Sequence, residues 1–339
     1  MGPQSSGADS GSACYGRGGA SPCVTDADLV LGYLDPNFFL GGEMKLDREA
    51  ALTAVDKNIA TPLRVSATEA AYGIHNIVNE NMALAAKIHI AEKGGDPLRT
   101  AMVAFGGAGP VHAYGLAKKL RMKKVILPLR AGVASAIGFF SAPFNYELVH
   151  TYRVSLDEAN LAEVGEVFER LKRDSIQFLP PVDRAERIGY DLFMDMHYRG
   201  QGYDISVPLH HPLSQMSKNT MSEKFSSIYE TMYGRRCPDK VEIMNLRVIA
   251  TAPGKPFSFK KLEVNHETRP QSTQKGVRKA YSFLSGGYLD FAVYDRYLLK
   301  PGMSFPGPAI VEEKESTVIL GQDGVASVDG YQSIVMALP

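Results

Sequence analysis

Apolar positions along the chain follow helical spacing in some stretches and strand-like runs in others. From Ser66 to the glycines at 94 and 95, Ala70, Ile74, Ile77, Val78, Met82, Ala85 and Ile88 recur at three- and four-residue steps, the period of one helix face. Ser66-Ala-Thr-Glu69 ahead of them reads as a capping box, so this is the longest helix expected. A shorter helix is expected over 47–59. From Ala101 to Phe105 an unbroken apolar run reads as a buried strand. Gly106, Gly107 and Gly109 follow, and Pro110 stands where a helix begins, because its missing N–H costs nothing there. Val111, Tyr114, Leu116, Ala117 and Leu120 give that helix an apolar face, and Val125 to Leu127 is the next strand. Strand, glycine turn, helix and strand make a βαβ unit, so at least part of the chain carries a parallel sheet.

The texture changes near residue 150. An amphipathic helix is expected over 156–176, broken by Pro180-Pro181. Strands are expected over 188–198 and 203–207, around Arg199-Gly-Gln-Gly202, then a helix over 221–233. Strands over 241–251, 278–283, 291–294, 309–313, 317–320 and 333–338 complete the reading. The expected division is therefore 1–150, built as α/β, and 151–339, mixed and β-rich.

The glycine turn holds the clearest candidate chemistry. Glycines let the backbone approach a ligand and take positive φ, and the end of a strand before a helix is where ligands and anions collect. Gly106, Gly107, Ala108 and Gly109 are the candidate binding residues, against the alternative of a tight packing turn. Ala108 and His112 stand where a dinucleotide fingerprint needs glycine, and no Gly-Lys-Ser/Thr ending makes a Walker loop. His112, in the first helical turn, is expected to be neutral. It suits nucleotide contact or proton relay as well as packing. Thr25 is expected to cap a helix, with Asp26 and Asp28 at its positive end. Asn76, Asn79 and Glu80 read as a polar helix face, and His75 and His89 are too far apart for an i,i+4 metal pair. Cys14 reads as a small buried residue, and Ser135 lacks a nucleophile elbow. Asp295-Arg296 and Glu312-Glu313 read as Arg–carboxylate pairing between strands.

Composition narrows the classes. The 339 residues carry 37 basic and 37 acidic side chains, with no basic surplus for nucleic acid or an anionic membrane. No apolar run approaches a membrane span. Three cysteines make no disulfide framework. A Gly/Ser-rich start without an apolar signal core adds the expectation of a cytoplasmic protein.

Several separated segments carry a resemblance. Phe105-Gly-Gly-Ala-Gly-Pro-Val-His-Ala113, Gly7-Ala-Asp-Ser-Gly-Ser-Ala-Cys-Tyr-Gly-Arg-Gly-Gly19, Val24-Thr-Asp-Ala-Asp-Leu-Val-Leu-Gly32, Gly200-Gln-Gly-Tyr203 and Gly307-Pro-Ala-Ile-Val-Glu-Glu313 resemble the hydantoinase A/oxoprolinase family over nearly the whole chain. The family includes ATP-using subunits of hydantoinases, 5-oxoprolinases and acetone or acetophenone carboxylases. The resemblance covers the family's C-terminal half. It implies part of an actin/hexokinase/Hsp70-like lobe followed by a β-rich C-terminal domain. It further implies ATP and Mg²⁺ as cofactors, phosphorylation of a cyclic amide or ketone oxygen, and then hydrolysis or carboxylation. The implied partners are a hydantoinase B-type subunit and the N-terminal half of the fold, in an oligomer; the alternative is a non-catalytic assembly module. The resemblance also makes residues 1–22 an ordered loop, where composition alone says flexible linker. Asp9 is a candidate for holding Mg²⁺ or a phosphate-side water, although Ser10 and Ser12 replace the two prolines usual in that segment.

Overall fold

The computed structural model describes residues 5–7, 9–92, 95–179, 188–209, 216–252, 258–265 and 270–339. The fold is mixed α/β with three sheets. Its compact units are Met1–Gly138 with Ser258–Pro339, and Phe139–Phe257. The first unit is discontinuous in sequence, because strand pairing joins the last segment of the chain to the first. Ile334–Ala337 pairs antiparallel with Lys124–Leu127, with Ile334 opposite Leu127.

In the first unit the expected βαβ grammar is present. Met102–Val103 pairs parallel with Lys124–Leu127, and the helix Gly109–Leu120 connects them. The five-stranded sheet then continues antiparallel through Ile334–Ala337, Val325–Val328 and Ser304–Pro306, which leaves Met102–Val103 at an edge. A second sheet runs Ser316–Leu320, Ala309–Glu313, Gly287–Asp295, Gln274–Ser282, with its two middle strands parallel. All five residues of Ala309–Glu313 are buried, as expected of a central strand covered on both faces. Alternation sorts its side chains. Val311, Val318 and Leu320 pack with Ala113, Ala117 and Leu120 of the glycine-turn helix. Ile310 and Ile319 pack on the opposite face with Leu29, Val55, Ile74 and Val111.

The helix Ala67–Glu92 is the long one expected, and its capping box forms: Ser66 N–H donates to Glu69 Oε2 at 2.8 Å, and Glu69 N–H to Ser66 Oγ at 3.2 Å. Its expected stop at Gly94 lies outside the described residues. Asp47 caps Arg48–Val55, accepting from Ala50 N–H at 2.9 Å. The helix Val24–Val30 is capped two residues earlier than expected, by Cys23 rather than Thr25. Asp26 is why: its carboxylate accepts from the backbone N–H groups of Cys23, Ala13 and Cys14 at 2.9, 3.2 and 2.8 Å. These bonds tie the Gly/Ser-rich segment around residue 13 to the helix.

The second unit is an antiparallel sheet, Phe144–Ser155, Val241–Ala252, Gly189–Tyr198, Ile205–Leu209. Helices Leu161–Ile176 and Lys218–Tyr233 cover one face, where Phe168 and Phe225 pack with Met194, Met196, Leu246 and Val248. The first helix starts five residues later than expected, capped by Asn160. The break at Pro180-Pro181 lies outside the described residues.

Candidate functional site

Gly106 takes φ +90°, which a Cβ would disfavour, and its N–H donates to Ala131 O at 2.7 Å. The turn is thereby tied to the short helix Ala131–Ile137, whose start is tied in turn to Glu313. The Glu313 carboxylate accepts from the backbone N–H of Arg130, from Ala131 N–H at 2.9 Å and from the Ser316 hydroxyl at 3.0 Å. Gly132 is forced by contact, since a Cβ there would lie 2.4 Å from both Cβ and the carbonyl oxygen of Glu315. Glycine turn, 130–132 loop and 313–317 hairpin thus form one braced corner.

That corner opens onto a cavity of about 230 Å³. Gly107, Ala108 and Val111 form one wall and Glu313 to Thr317 another. Phe38 and Phe39 face them, and Tyr15, Thr25 and Asp28 close the end. Glu315 Oε2 is buried with no hydrogen-bond partner among the described residues. A buried carboxylate oxygen is costly to leave unpaired, and this one is shielded from the cavity that other atoms of Glu315 line. Of the sequence-predicted residues, Gly107 and Ala108 line the cavity, while Gly106 shapes the turn and Gly109 opens the helix. Asp9 is exposed in the N-terminal loop and is not part of this lining.

His112 does not line the cavity; it lies buried behind it. Its Nδ1 meets Asn79 Oδ1 at 3.0 Å and its Nε2 lies 3.6 Å from Asp28 Oδ2. Burial lowers its pKa below the ordinary histidine value; the nearby Asp28 charge opposes the shift and His75 adds to it. His75 Nδ1 sits 2.7 Å from Asp28 Oδ1, and the two imidazoles stack at 4.4 Å. Sequence reading missed this cluster, having assigned Asp28 to capping and compared His75 only with His89. One signal was available: His75 and Asn79 are four apart and share a helix face. Cys14 is fully buried and its thiol is pushed well above the ordinary range, by burial first and by Asp26 second, which suits packing rather than nucleophilic attack.

A second concavity, about 800 Å³, lies in the other unit. Gly200, Gln201 and Gly202 line it with His197, Asp204 and Glu242. His197 lies between carboxylates, its Nδ1 at 3.0 Å from Asp204 but misaligned for a hydrogen bond, and its Nε2 at 3.3 Å from Glu242. Of the expected Arg–carboxylate pairs, Glu312 pairs with Arg278 at 2.5 Å and Lys275 at 2.7 Å. Arg296 instead donates to the Gln332 carbonyl. Among the described residues no helix is long and apolar enough to cross a membrane.

Comparison with known proteins finds two family models. Residues 1–148 match the hydantoinase/oxoprolinase model, and residues 155–336 match the hydantoinase/oxoprolinase C-terminal domain. An uncharacterized protein of Methanocaldococcus jannaschii is 34% identical, over 98% of this chain and 47% of its own length. Caprolactamase subunit alpha of Pseudomonas jessenii is 29% identical, over 97% of this chain and 48% of its own. The nucleotide-free structure of an acetone carboxylase, solved in a study of ATP-dependent acetone carboxylation, superposes with a TM-score of 0.75 at 27% identity. The match covers 99% of this chain and 49% of that one. The chain therefore spans about half the length of these relatives.

Proposed function

Because this chain belongs to the hydantoinase/oxoprolinase family, we propose that it builds one wall of an ATP-binding cleft in an enzyme that activates a cyclic amide or ketone oxygen by phosphorylation. One observation carries the reading. The cavity lined by Gly107 and Ala108 is also lined by the acidic residue Glu315 and by Thr25 and Thr317. The glycine turn gives close backbone approach, and the helix behind it offers N–H groups to phosphate. The Glu315 side chain on this lining is the acceptor for a ribose hydroxyl, the pairing carboxylates make in other nucleotide sites. Phe38 and Phe39 supply apolar wall area. Mg²⁺ prefers oxygen ligands and substrate phosphates, and the hydroxyls of Thr25 and Thr317 on the same lining are oxygen donors that would suit it. When bound, the ion neutralises charge on the phosphates.

Phosphoryl transfer places the γ-phosphoryl group on the carbonyl or enol oxygen and releases ADP, leaving a carbon open to attack or a better leaving group. Hydrolysis or carboxylation follows with a hydantoinase B-type subunit. The remaining phosphate-binding donors come from the first half of the fold. The edge strand Met102–Val103, with exposed Val103 and Phe105 nearby and Ile77, Leu84 and Ile88 exposed on the long helix, is the face that half covers. A bare parallel edge beside apolar surface is otherwise a liability. The setting is cytoplasmic, with Cys14, Cys23 and Cys237 as free thiols.

The test is calorimetric titration with Mg-ATP of this chain, alone and with an N-terminal half of the fold, in wild-type and Gly107→Val forms. A Cβ at Gly107 comes no closer than 3.6 Å to Glu315 O, so the variant folds while its side chain enters the cavity. Binding by the wild-type pair, lost in a variant with an unchanged melting temperature, is the expected result. Wild-type affinity in the folded variant refutes the site, and no binding by the pair moves the chain to the assembly-module reading.

A further inference from the structure

We propose that Asp28, His75 and His112 form a binding site for a first-row divalent cation of the zinc class. The inference is independent of the nucleotide reading. All three side chains are nearly fully buried, at 3, 6 and 4% exposure, and their ligating atoms lie within 4.8 Å of one another.

The hydrogen bonds around the cluster supply the argument. Asn79 presents its carbonyl oxygen to His112 Nδ1 at 3.0 Å. That oxygen only accepts, so Nδ1 carries the proton and Nε2 is a bare lone pair. The lone pair faces Asp28 Oδ2 at 3.6 Å. Two acceptors face each other in a buried space, and a positive centre belongs between them. A metal ion supplies one. Ligands about 2.1 Å from a common ion stand about 3.0 to 3.4 Å apart in octahedral or tetrahedral geometry. The observed gap is a few tenths of an ångström wider. The Asn79 contact is also the outer-shell bond that metal-bound imidazoles usually make, and it fixes the tautomer.

His75 completes the set. Its Nδ1 lies 2.7 Å from Asp28 Oδ1, and a neutral imidazole with its proton on Nε2 offers Nδ1 to a cation beside that carboxylate. Two imidazoles and one carboxylate favour zinc, iron or cobalt over magnesium, whose ligands are oxygens. Three protein ligands leave a coordination position open. Asp28 belongs both to this cluster and to the lining of the 230 Å³ cavity, so the ion lies beside that cavity.

The experiment uses the full chain, stripped with chelator and titrated with Co²⁺ by visible absorption, then with Zn²⁺ in competition. One equivalent of ion is expected, with a higher melting temperature in Zn²⁺. Asn79→Ala is expected to weaken binding about 10- to 100-fold, as loss of an outer-shell partner does; His75→Ala and His112→Ala weaken it further. Uptake by wild type well below one equivalent, with no Zn²⁺-dependent melting shift, overturns the site. It leaves a buried hydrogen-bonded triad with the Asn79 amide reversed. Stoichiometric binding undiminished in all three variants also overturns it. Should a histidine variant fail to fold, wild type and Asn79→Ala decide the question.

Discussion

Replacing Glu313 by glutamine tests whether one buried carboxylate holds the corner on which the cavity is built. Glu313 is 3% exposed and accepts from the N–H groups of Arg130 and Ala131 and from Ser316. Glutamine keeps one carbonyl oxygen and turns an NH₂ toward the other donor. One charge-assisted bond worth about 1.5–3 kcal/mol is lost, and a buried N–H stranded beside another donor costs about 1–3 kcal/mol. The buried guanidinium of Arg296, whose charge is disfavoured by burial and favoured by Glu313 and Asp329, also loses a counter-charge. The expected loss is about 3 kcal/mol in the first unit. The effect reaches the glycine turn, because Gly106 N–H is bonded to Ala131 O at 2.7 Å. The assay is urea unfolding by circular dichroism with amide hydrogen exchange, since a chain of two compact units need not unfold in one step. Exchange at Ala131 and Gly106 is expected to accelerate together. A loss below about 0.5 kcal/mol, with Gly106 as protected as in wild type, would refute the bracing argument.

Two other predictions follow from contacts on the same unit. Gly132→Ala places a methyl 2.4 Å from Cβ and the carbonyl of Glu315; relief requires backbone movement, and a destabilisation of about 1–3 kcal/mol is expected in thermal or urea unfolding. A neutral change there would mean that the hairpin yields freely. Cys14 should resist iodoacetamide in the folded chain and react on unfolding, read by mass spectrometry. Its thiol is raised in the fold and ordinary in the unfolded chain, so the unfolded state loses its proton first and this contribution to stability falls as pH rises above the ordinary thiol range. Rapid alkylation of native Cys14 at neutral pH would contradict its assigned environment.

The sequence announced elements wherever punctuation was local. The capping box at Ser66, the glycine turn at 106–109 and the stops around 120–127 each act within a few residues, and the βαβ unit followed from them. Phe144–Ser155 was missed even though Tyr146, Leu148, Tyr152 and Val154 fall on one alternating face, because Val149 on the other face and His150 on this one blur the period. Ser304–Pro306 and Val325–Val328 are three and four residues long, too short for any period to register. Asp26 and Asp28 show the limit most clearly. Both sit in the first turns of one helix and both read as dipole partners. Asp26 does bond near that helix start, whereas Asp28 points to His75, 47 residues away. Pairing at that distance is set by how helices Val24–Val30 and Ala67–Glu92 pack, and no local rule encodes it. The same holds for Glu313, whose reading as a strand-pairing charge missed backbone donors 182 and 183 residues upstream.

Long-range construction also determines which parts of the cavity are rigid. Glu313 to Thr317 is the tip of a hairpin whose strands are buried on both faces, Val311 in one core and Ile310 in the other. A tip mounted on such strands has little freedom, because shifting it disturbs two close-packed cores at once. The facing wall differs. It runs through Leu40 at φ 52° and Gly41 and Gly42 at φ 68° and 91°, and its apolar members Phe38 and Phe39 are only half-buried. A ligand entering this cavity therefore meets a hairpin tip and backbone anchored in two cores on one side and half-buried aromatic side chains on the other. Orientation comes from the rigid side, where Glu315 and the glycine turn are braced by Glu313. Differences in ligand shape are absorbed by the other side, so substitutions at Phe38 or Phe39 act on which ligand fits, and substitutions at Glu313 act on whether any ligand is held in place.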